Sequence, residues 1–185
     1  DLVKALINLN KYDVKIYPQR WGGTPWGFIE DHKEEWGFLK PHILEGQLSA
    51  QPDIWAQVTV PNEFQSIGKF NIGITAGIET TRCAPQWIEG MNRMDLNLVS
   101  SEHSKKVFQD SKYEKQDENT KQVVSILELT SPIEVLFEGV DIEKYFEFPL
   151  PSSSEICQSL DTIEEDFAFL FVGHWLQGDL GQDRK

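Results

Sequence analysis

The chain has 185 residues, 39% of them hydrophobic and 25% charged, which is an ordinary globular composition. Its formal net charge of -13 argues against a broad nucleic-acid or anionic-membrane surface, because such surfaces need clustered lysine and arginine. No apolar run approaches the roughly 20 residues of a membrane helix, no signal peptide is recognisable, and the cysteines, Cys83 and Cys157, match no metal or redox spacing. These features predict a cytoplasmic protein with free thiols and no integral membrane segment.

The first predicted element is a helix. Apolar residues recur at helical spacing at Leu2, Ala5, Leu6 and Leu9. This pattern predicts a helix from residue 1 to about residue 10 with one buried stripe. Val14 and Ile16 predict a short strand that ends at Pro18. In a doubly wound sheet such a helix follows a first strand, so we expect that strand to lie upstream of Asp1.

An irregular segment follows over residues 19–51. Its tryptophans are Trp21, Trp26 and Trp36. Their rings could stack on a sugar or a base, or they could cover the interior of a long loop, and we favour the loop. His32 and His42 have no third ligand at a sensible spacing, so we predict no metal site.

The middle of the chain alternates strands and helices. Apolar patterns predict strands over residues 54–58, 70–76 and 95–99. A helix is predicted to begin at Pro85, and Ser100 or Ser101 can cap a further helix that runs to Phe108. Residues 69–108 therefore form one repeat of an α/β fold.

The remaining elements are less regular. Residues 109–122 are almost wholly polar and predict an exposed loop, and 123–129 is an apolar run of uncertain type. A strand is predicted over 133–137, after which Asp141 can cap a helix through Tyr145.

Together these elements predict an α/β fold, a Rossmann-like parallel sheet with helices on both faces, over residues 1–146. A connector rich in proline, serine and acidic residues covers 147–166. Beyond it, 167–172 is apolar on both faces, as a central strand of a covered sheet should be, so 167–185 is expected to begin a second domain. If that strand stays uncovered, we expect the chain to associate through it.

Ligands of parallel α/β sheets bind outside the carboxyl ends of the strands. The predicted loops at that edge carry Asn62, Glu63 and Gln65, then Glu79, Thr80 and Arg82, then Ser100 and His103. Structural roles also fit these residues, since Glu79 can pair with Arg82 and Ser100 can cap a helix.

The order of these residues resembles a segment of the GT-B fold glycosyltransferases, in the large group of families one and four. The matching residues are Gly73, Glu79, Thr80, Thr81, Pro85, Trp87, Asn92, Asp95, Ser100 and Phe108. Residues 133–141 resemble the strand and turn that close the first Rossmann-like domain of this family, and 169–173 resembles the start of its second domain.

The resemblance implies the amino-terminal, acceptor-side half of a GT-B fold, truncated at both ends, with the donor-binding half beyond Lys185. It implies transfer of a hexose-like sugar from a nucleotide-sugar donor to a hydroxyl of a carbohydrate or glycan acceptor, without a further cofactor. The chain alone would then be inactive. For such a reaction Glu79 and Glu63 are the candidates for orienting the acceptor hydroxyl or taking its proton. The candidates for acceptor binding are Asn62, Gln65, Thr80, Arg82, Ser100 and His103.

Two other functions are considered. A non-catalytic α/β module that binds carbohydrate or protein would use the same fold without the transfer chemistry. A serine hydrolase is disfavoured because the sequence has no G-x-S-x-G motif.

Overall fold

The structure, a computed structural model, describes residues 2–19, 27–117, 120, 122–143, 145–149, 151, 154–165 and 167–169. The chain divides into two compact units, Asp1–Glu138 and Gly139–Lys185. The strands of the first unit are β1 (Ile54–Val58), β2 (Phe70–Thr75), β3 (Leu96–Val99), β4 (Tyr113–Gln116), β5 (Val123–Leu127) and β6 (Ile133–Val135). Its helices are α1 (Leu2–Asn8), α2 (Phe28–Asp31), α3 (Lys33–Trp36), α4 (Pro85–Met91) and α5 (Glu102–Asp110), with 3₁₀ turns at Gly37–His42 and Pro61–Glu63. The second unit contains α6 (Glu155–Leu160).

Four parallel strands form the main sheet, in the spatial order β1, β2, β3, β6. The register aligns Val58 with Ile74, Ile74 with Leu98, and Leu98 with Glu134. The predicted central strands are confirmed to within a residue or two at their ends. The protein is therefore an α/β protein with a parallel sheet, consistent with a Rossmann-like fold.

The direction in which strands are added decides where the core lies. Spatial order and sequence order agree from β1 to β6, so each strand joins the same growing edge. Right-handed crossovers that add strands in one direction all pass over the same face of the sheet. Accordingly, Ile88 of α4 and Phe108 of α5 belong to one buried cluster with Trp55 and Val99 of the sheet. We call this side the packed face. The sequence predicts helices on both faces, whereas these crossovers cover one.

The opposite side of the sheet, which we call the open face, is mostly apolar; it is exposed along β1 and partly buried at Ile72, Ile74, Leu96 and Leu98. Its side chains are Ile54, Ala56, Val58, Phe70, Ile72, Ile74, Leu96 and Leu98, with the charged Glu134 on the edge strand β6. Val58 is 64% exposed and Ile54 is 50% exposed. The packed face instead buries the polar side chains of Gln57, Thr59, Asn71, Thr75 and Asn97. The sheet thus turns its more polar side towards the core.

The chain leaves β1 at a 3₁₀ turn and returns across the packed face, where two glycines permit close contact. The ring of Phe64 lies on Gly73 of β2, and a Cβ atom at Gly73 would come within 2.4 Å of that ring. A Cβ atom at Gly90 of α4 would lie 1.8 Å from the carbonyl oxygen of Pro61. Only glycine therefore lets this returning segment lie so close to both β2 and α4.

The amino-terminal predictions hold in part. Helix α1 is present, but none of its residues is buried and Leu2 is 42% exposed, so the predicted buried stripe is wrong. The reason is that the partly buried residues that pack on the core cluster come from residue 48 onward and none from α1. The strand predicted at Val14 and Ile16 is reduced to an isolated bridge, because Ile16 pairs with Ile43 and not with the sheet.

The irregular segment over residues 19–51 is partly helical from residue 27 onward. Trp36 stacks on Phe38 with ring centroids 6.4 Å apart, which agrees with tryptophans that cover their own loop. Trp21 and Trp26 lie outside the described residues.

The structure revises two predictions for the carboxyl-terminal part of the first unit. The polar loop predicted over 109–122 contains β4, which pairs antiparallel with β5. Main-chain pairing orders this stretch although its side chains stay mostly exposed. The apolar run of uncertain type over 123–129 is therefore a strand as far as Leu127.

The second unit departs from prediction as well. The helix expected after Asp141 is a single turn, closed by a 2.8 Å hydrogen bond from Tyr145 N to Asp141 O. Helix α6 lies inside the predicted connector 147–166. Phe167 and Phe169 are 72% and 93% exposed and lie in no strand among the described residues, which include only 167–169 of the predicted strand 167–172. Residues 170–185 lie outside the described part of the chain.

Replacing Gly90 with alanine should lower the free energy of unfolding by about 3 kcal/mol, because the new methyl group would overlap a main-chain carbonyl. The better helix propensity of alanine, worth about 1 kcal/mol, does not offset this overlap. Denaturant unfolding measures the difference. Gly46→Ala is the matched control, since a Cβ atom at Gly46 meets nothing within 4 Å and should change stability by less than about 0.5 kcal/mol. Equal stability of the two variants would contradict the close packing of this turn on α4.

Candidate functional site

Hydrogen bonds join two of the three predicted loops at the carboxyl edge of the sheet. The Ser100 hydroxyl, just after β3, donates to the carbonyl of Ala76, just after β2, over 2.7 Å. His103 Nε2 lies 3.3 Å from the carbonyl oxygen of Thr80. The loop after β2 and the start of α5 therefore form one site. We call Glu79, Thr80, Ser100 and His103 the edge cluster.

The local sequence explains why these two segments meet. Gly77 has a φ of +94°, a conformation that favours glycine, and a Cβ atom there would lie 2.1 Å from Ser104 Oγ. Ser101 caps α5 by accepting a hydrogen bond from Ser104 N, 3.1 Å away. A capped helix start thus packs directly against the turn that leaves β2.

Glu79 is the member of the edge cluster with the least structural role. Its side chain is exposed, and within the described residues its carboxylate makes no ion pair or hydrogen bond. The salt bridge considered between Glu79 and Arg82 is not formed. Arg82 instead donates to the carbonyl of Lys112 over 3.2 Å and lies over the ring of Tyr113, 5.1 Å from its centroid. Glu79 is therefore available to a ligand, while Arg82 is held by β4.

The remaining candidates form a second group on the returning segment after β1. Glu63 Oε2 accepts a 2.5 Å hydrogen bond from the Thr59 hydroxyl. The carbonyl of Asn62 accepts from Arg93 Nη2 over 2.9 Å, and Gln65 N donates to the side chain of Gln57 over 2.9 Å. These contacts tie the group to β1 and to the end of α4. The described contacts do not join it to the edge cluster.

Several residues of the sequence resemblance have clear structural roles. Asn92 Oδ1 accepts from Thr130 N and its Nδ2 donates to the carbonyl of Glu128, each over 2.8 Å, which fixes the approach to β6. Asp95 accepts from both the main-chain and side-chain nitrogens of Asn71, at 2.8 and 3.0 Å. Asn92 and Asp95 therefore serve the fold, whereas Glu79 is a matched residue whose side chain has no partner among the described residues.

Sequence reasoning missed the part that β4 plays at this site. Tyr113 holds Arg82 through its ring, and its hydroxyl donates to the carbonyl of Cys83. Tyr113 lies in a stretch that is polar throughout, so no local period marked it. His42, considered as a metal ligand, places its Nδ1 2.9 Å from the carbonyl oxygen of Val14.

Fold and site together define an α/β protein with a parallel sheet and an exposed polar cluster at its carboxyl edge. Comparisons with protein families, with characterised proteins and with solved structures find no match for this chain. Within the described ranges, no helix has the length and apolar character that crossing a bilayer requires.

Burial raises the pKa of the Cys83 thiol, which lies beside the site, whereas Cys157 is only partly buried. Since the thiolate is the reactive form, Cys83 should react with a disulfide reagent at pH 8 at least about tenfold more slowly than Cys157. The folded state holds the Cys83 proton more tightly than the unfolded state does. The buried Cys83 thiol therefore contributes to the free energy of unfolding at neutral pH, and this contribution is lost as pH rises above about 8.5, the ordinary pKa of a free thiol. A time course of thiol labelling measures the rates. In Cys157→Ser only the slow phase should remain, and a fast phase in that variant would contradict the burial of Cys83.

Proposed function

We propose that this chain forms the acceptor-side domain of a glycosyltransferase, which transfers a sugar from a nucleotide-sugar donor to a hydroxyl of a carbohydrate acceptor. The observation that carries the proposal is the edge cluster, in which an unpaired carboxylate lies beside hydroxyl and imidazole groups. Its position at the carboxyl ends of adjacent parallel strands is the usual place for a ligand in such sheets. The resemblance to GT-B glycosyltransferases supplies the choice of reaction.

The reaction divides the candidate residues by role. Glu79 orients the acceptor hydroxyl and takes its proton, because its carboxylate is exposed and unpaired within the described residues. Glu63 is the weaker candidate, since its carboxylate already accepts from Thr59. The Thr80 hydroxyl donates to the carbonyl of Arg82 over 2.9 Å, so it offers the acceptor sugar its lone pairs, while His103 offers its imidazole. The donor diphosphate needs cations or helix N-termini, which we assign to a separate donor-binding domain. The donor is a substrate, so no further cofactor is proposed.

The decisive test is Glu79→Gln in the protein as encoded, assayed for transfer of labelled sugar from a panel of nucleotide-sugars to glycan acceptors. We expect transfer to fall by about 100-fold or more, because the variant keeps the size of Glu79 but loses the base. Stability should change by less than about 0.5 kcal/mol, because Glu79 is exposed. Glu114→Gln, an equally exposed change on β4, is the control and should retain full transfer.

The outcomes separate the candidate functions. Unchanged transfer in Glu79→Gln would remove Glu79 from the chemistry. Glycan binding that shifts the amide signals of Thr80 and His103, without transfer from any donor, would instead favour a non-catalytic carbohydrate-binding module. If the protein neither binds a glycan nor transfers a sugar, both functions are contradicted.

A further inference from the structure

Among the residues that the structure describes, no segment pairs with the outer edge of the main sheet at β1. β1 is the outermost strand of the sheet, and Thr59 N bonds to Ile74 O while Asp53 O accepts from Phe70 N. Because hydrogen-bonding direction alternates along a strand, residues 54, 56 and 58 direct their main-chain groups away from β2. No main-chain hydrogen bond from another described segment reaches these groups.

The strand also lacks the features that normally prevent pairing at an edge. Ile54–Val58 reads IWAQV, which contains no charged residue and no proline, and no bulge interrupts its pairing with β2. Natural edge strands are usually protected by lysine, proline or a bulge. Exposed Ile54 and Val58 lie at its two ends on the open face. An edge of this kind is a template for another strand.

We propose that β1 pairs antiparallel with β1 of a second copy of this chain, about a two-fold axis at Ala56. The strand is self-complementary in this register. Ile54 then faces Val58 of the second copy, which matches two exposed apolar side chains, and Ala56 faces its own equivalent. The outward main-chain groups fall in the pairs that exchange both hydrogen bonds, so all of them are satisfied. A contact of this kind is isologous and closes at two copies.

The side chains on the packed face of β1 and the charged residues beside the strand are also compatible with a two-fold axis at Ala56. Trp55 faces Gln57 of the second copy, and these residues already form a 3.3 Å hydrogen bond from indole to amide within one chain. Asp53 falls opposite Thr59 of the second copy, and its charge is neutralised by Lys69 at 2.7 Å. The paired strands therefore bring no unpaired like charges together, although each chain carries a net charge of -13.

The register is tested by cysteine cross-linking of the 185-residue chain in a Cys157→Ser background, where the remaining native cysteine is buried. Ala56→Cys should form an intermolecular disulfide under mild oxidation, because residues in a hydrogen-bonded pair have Cα atoms about 5.5 Å apart. Val58→Cys is the matched control on the same strand. Its equivalents would lie about 14 Å apart in this register and should not cross-link. Equal cross-linking of both variants, or of neither, would overturn the proposed axis.

The oligomeric state gives an independent test by sedimentation. The Cys157→Ser chain should show a concentration-dependent dimer, and Ala56→Lys should weaken dimerisation by more than about tenfold, because it places like charges opposite each other. Ala50→Lys, an exposed alanine in the loop before β1, should leave the dimer intact. Because Ala56 is exposed, both variants should unfold at the same temperature as their parent at concentrations low enough for all three to be monomeric, where dimerisation no longer adds to stability.

Two results would overturn the pairing. A dimer that Ala56→Lys does not weaken would place the contact on another surface, such as the exposed Phe167 and Phe169. A monomer in which the amides of Ile54, Ala56 and Val58 nevertheless exchange slowly with solvent would mean that another segment of the same chain covers the edge.

Discussion

The direction of strand addition is the constraint on which this structure depends. Parallel strands can be joined only by connections that cross a face of the sheet, and right-handed connections running one way all use the same face. From β1 to β6 the strands are added in one direction, so α4, α5 and the segment after β1 share the packed face. The same rule leaves the other face without a crossover between these strands and makes β1 the outermost strand of the described sheet.

The polar side chains of the packed face fasten these connections to the sheet. Gln57 donates to the carbonyl of Glu63 over 3.0 Å and accepts from Gln65 N, which holds the segment that follows β1. Asn97, fully buried on β3, donates to the carbonyl of Met91 and to Ser131 Oγ, at 3.1 and 2.7 Å. Buried polar groups need such partners, and here the partners belong to the crossovers. This polar layer therefore positions the loops in which the candidate residues lie.

The edge cluster combines a fixed main chain with one available side chain, that of Glu79. The Ser100 contact to Ala76 and the capping of α5 by Ser101 order the backbone, while the Glu79 side chain remains exposed. A catalytic or binding group works best when its scaffold is rigid, because positioning then costs little entropy at the moment of reaction. Arg82 is excluded from an equally free role by its contacts to Lys112 and to Tyr113 of β4, since moving it would break both the hydrogen bond and the ring contact.

The sequence by itself determined the central strands, helices α4 and α5, and the loops that follow each strand. Alternation and helical spacing are local patterns, and parallel strands necessarily bring their carboxyl ends to one edge. Only the tertiary structure decided which face of each strand is buried, since alternation at Ile54 and Trp55 fits either choice and burial depends on the side taken by the crossovers. Tertiary contacts also gave Glu63 and Glu79 different surroundings, since Glu63 accepts from Thr59 while Glu79 has no side-chain partner among the described residues. The sequence places both after a strand, but the close packing of Phe64 on Gly73 draws the first segment back across the sheet, and such contacts between distant residues leave no local pattern.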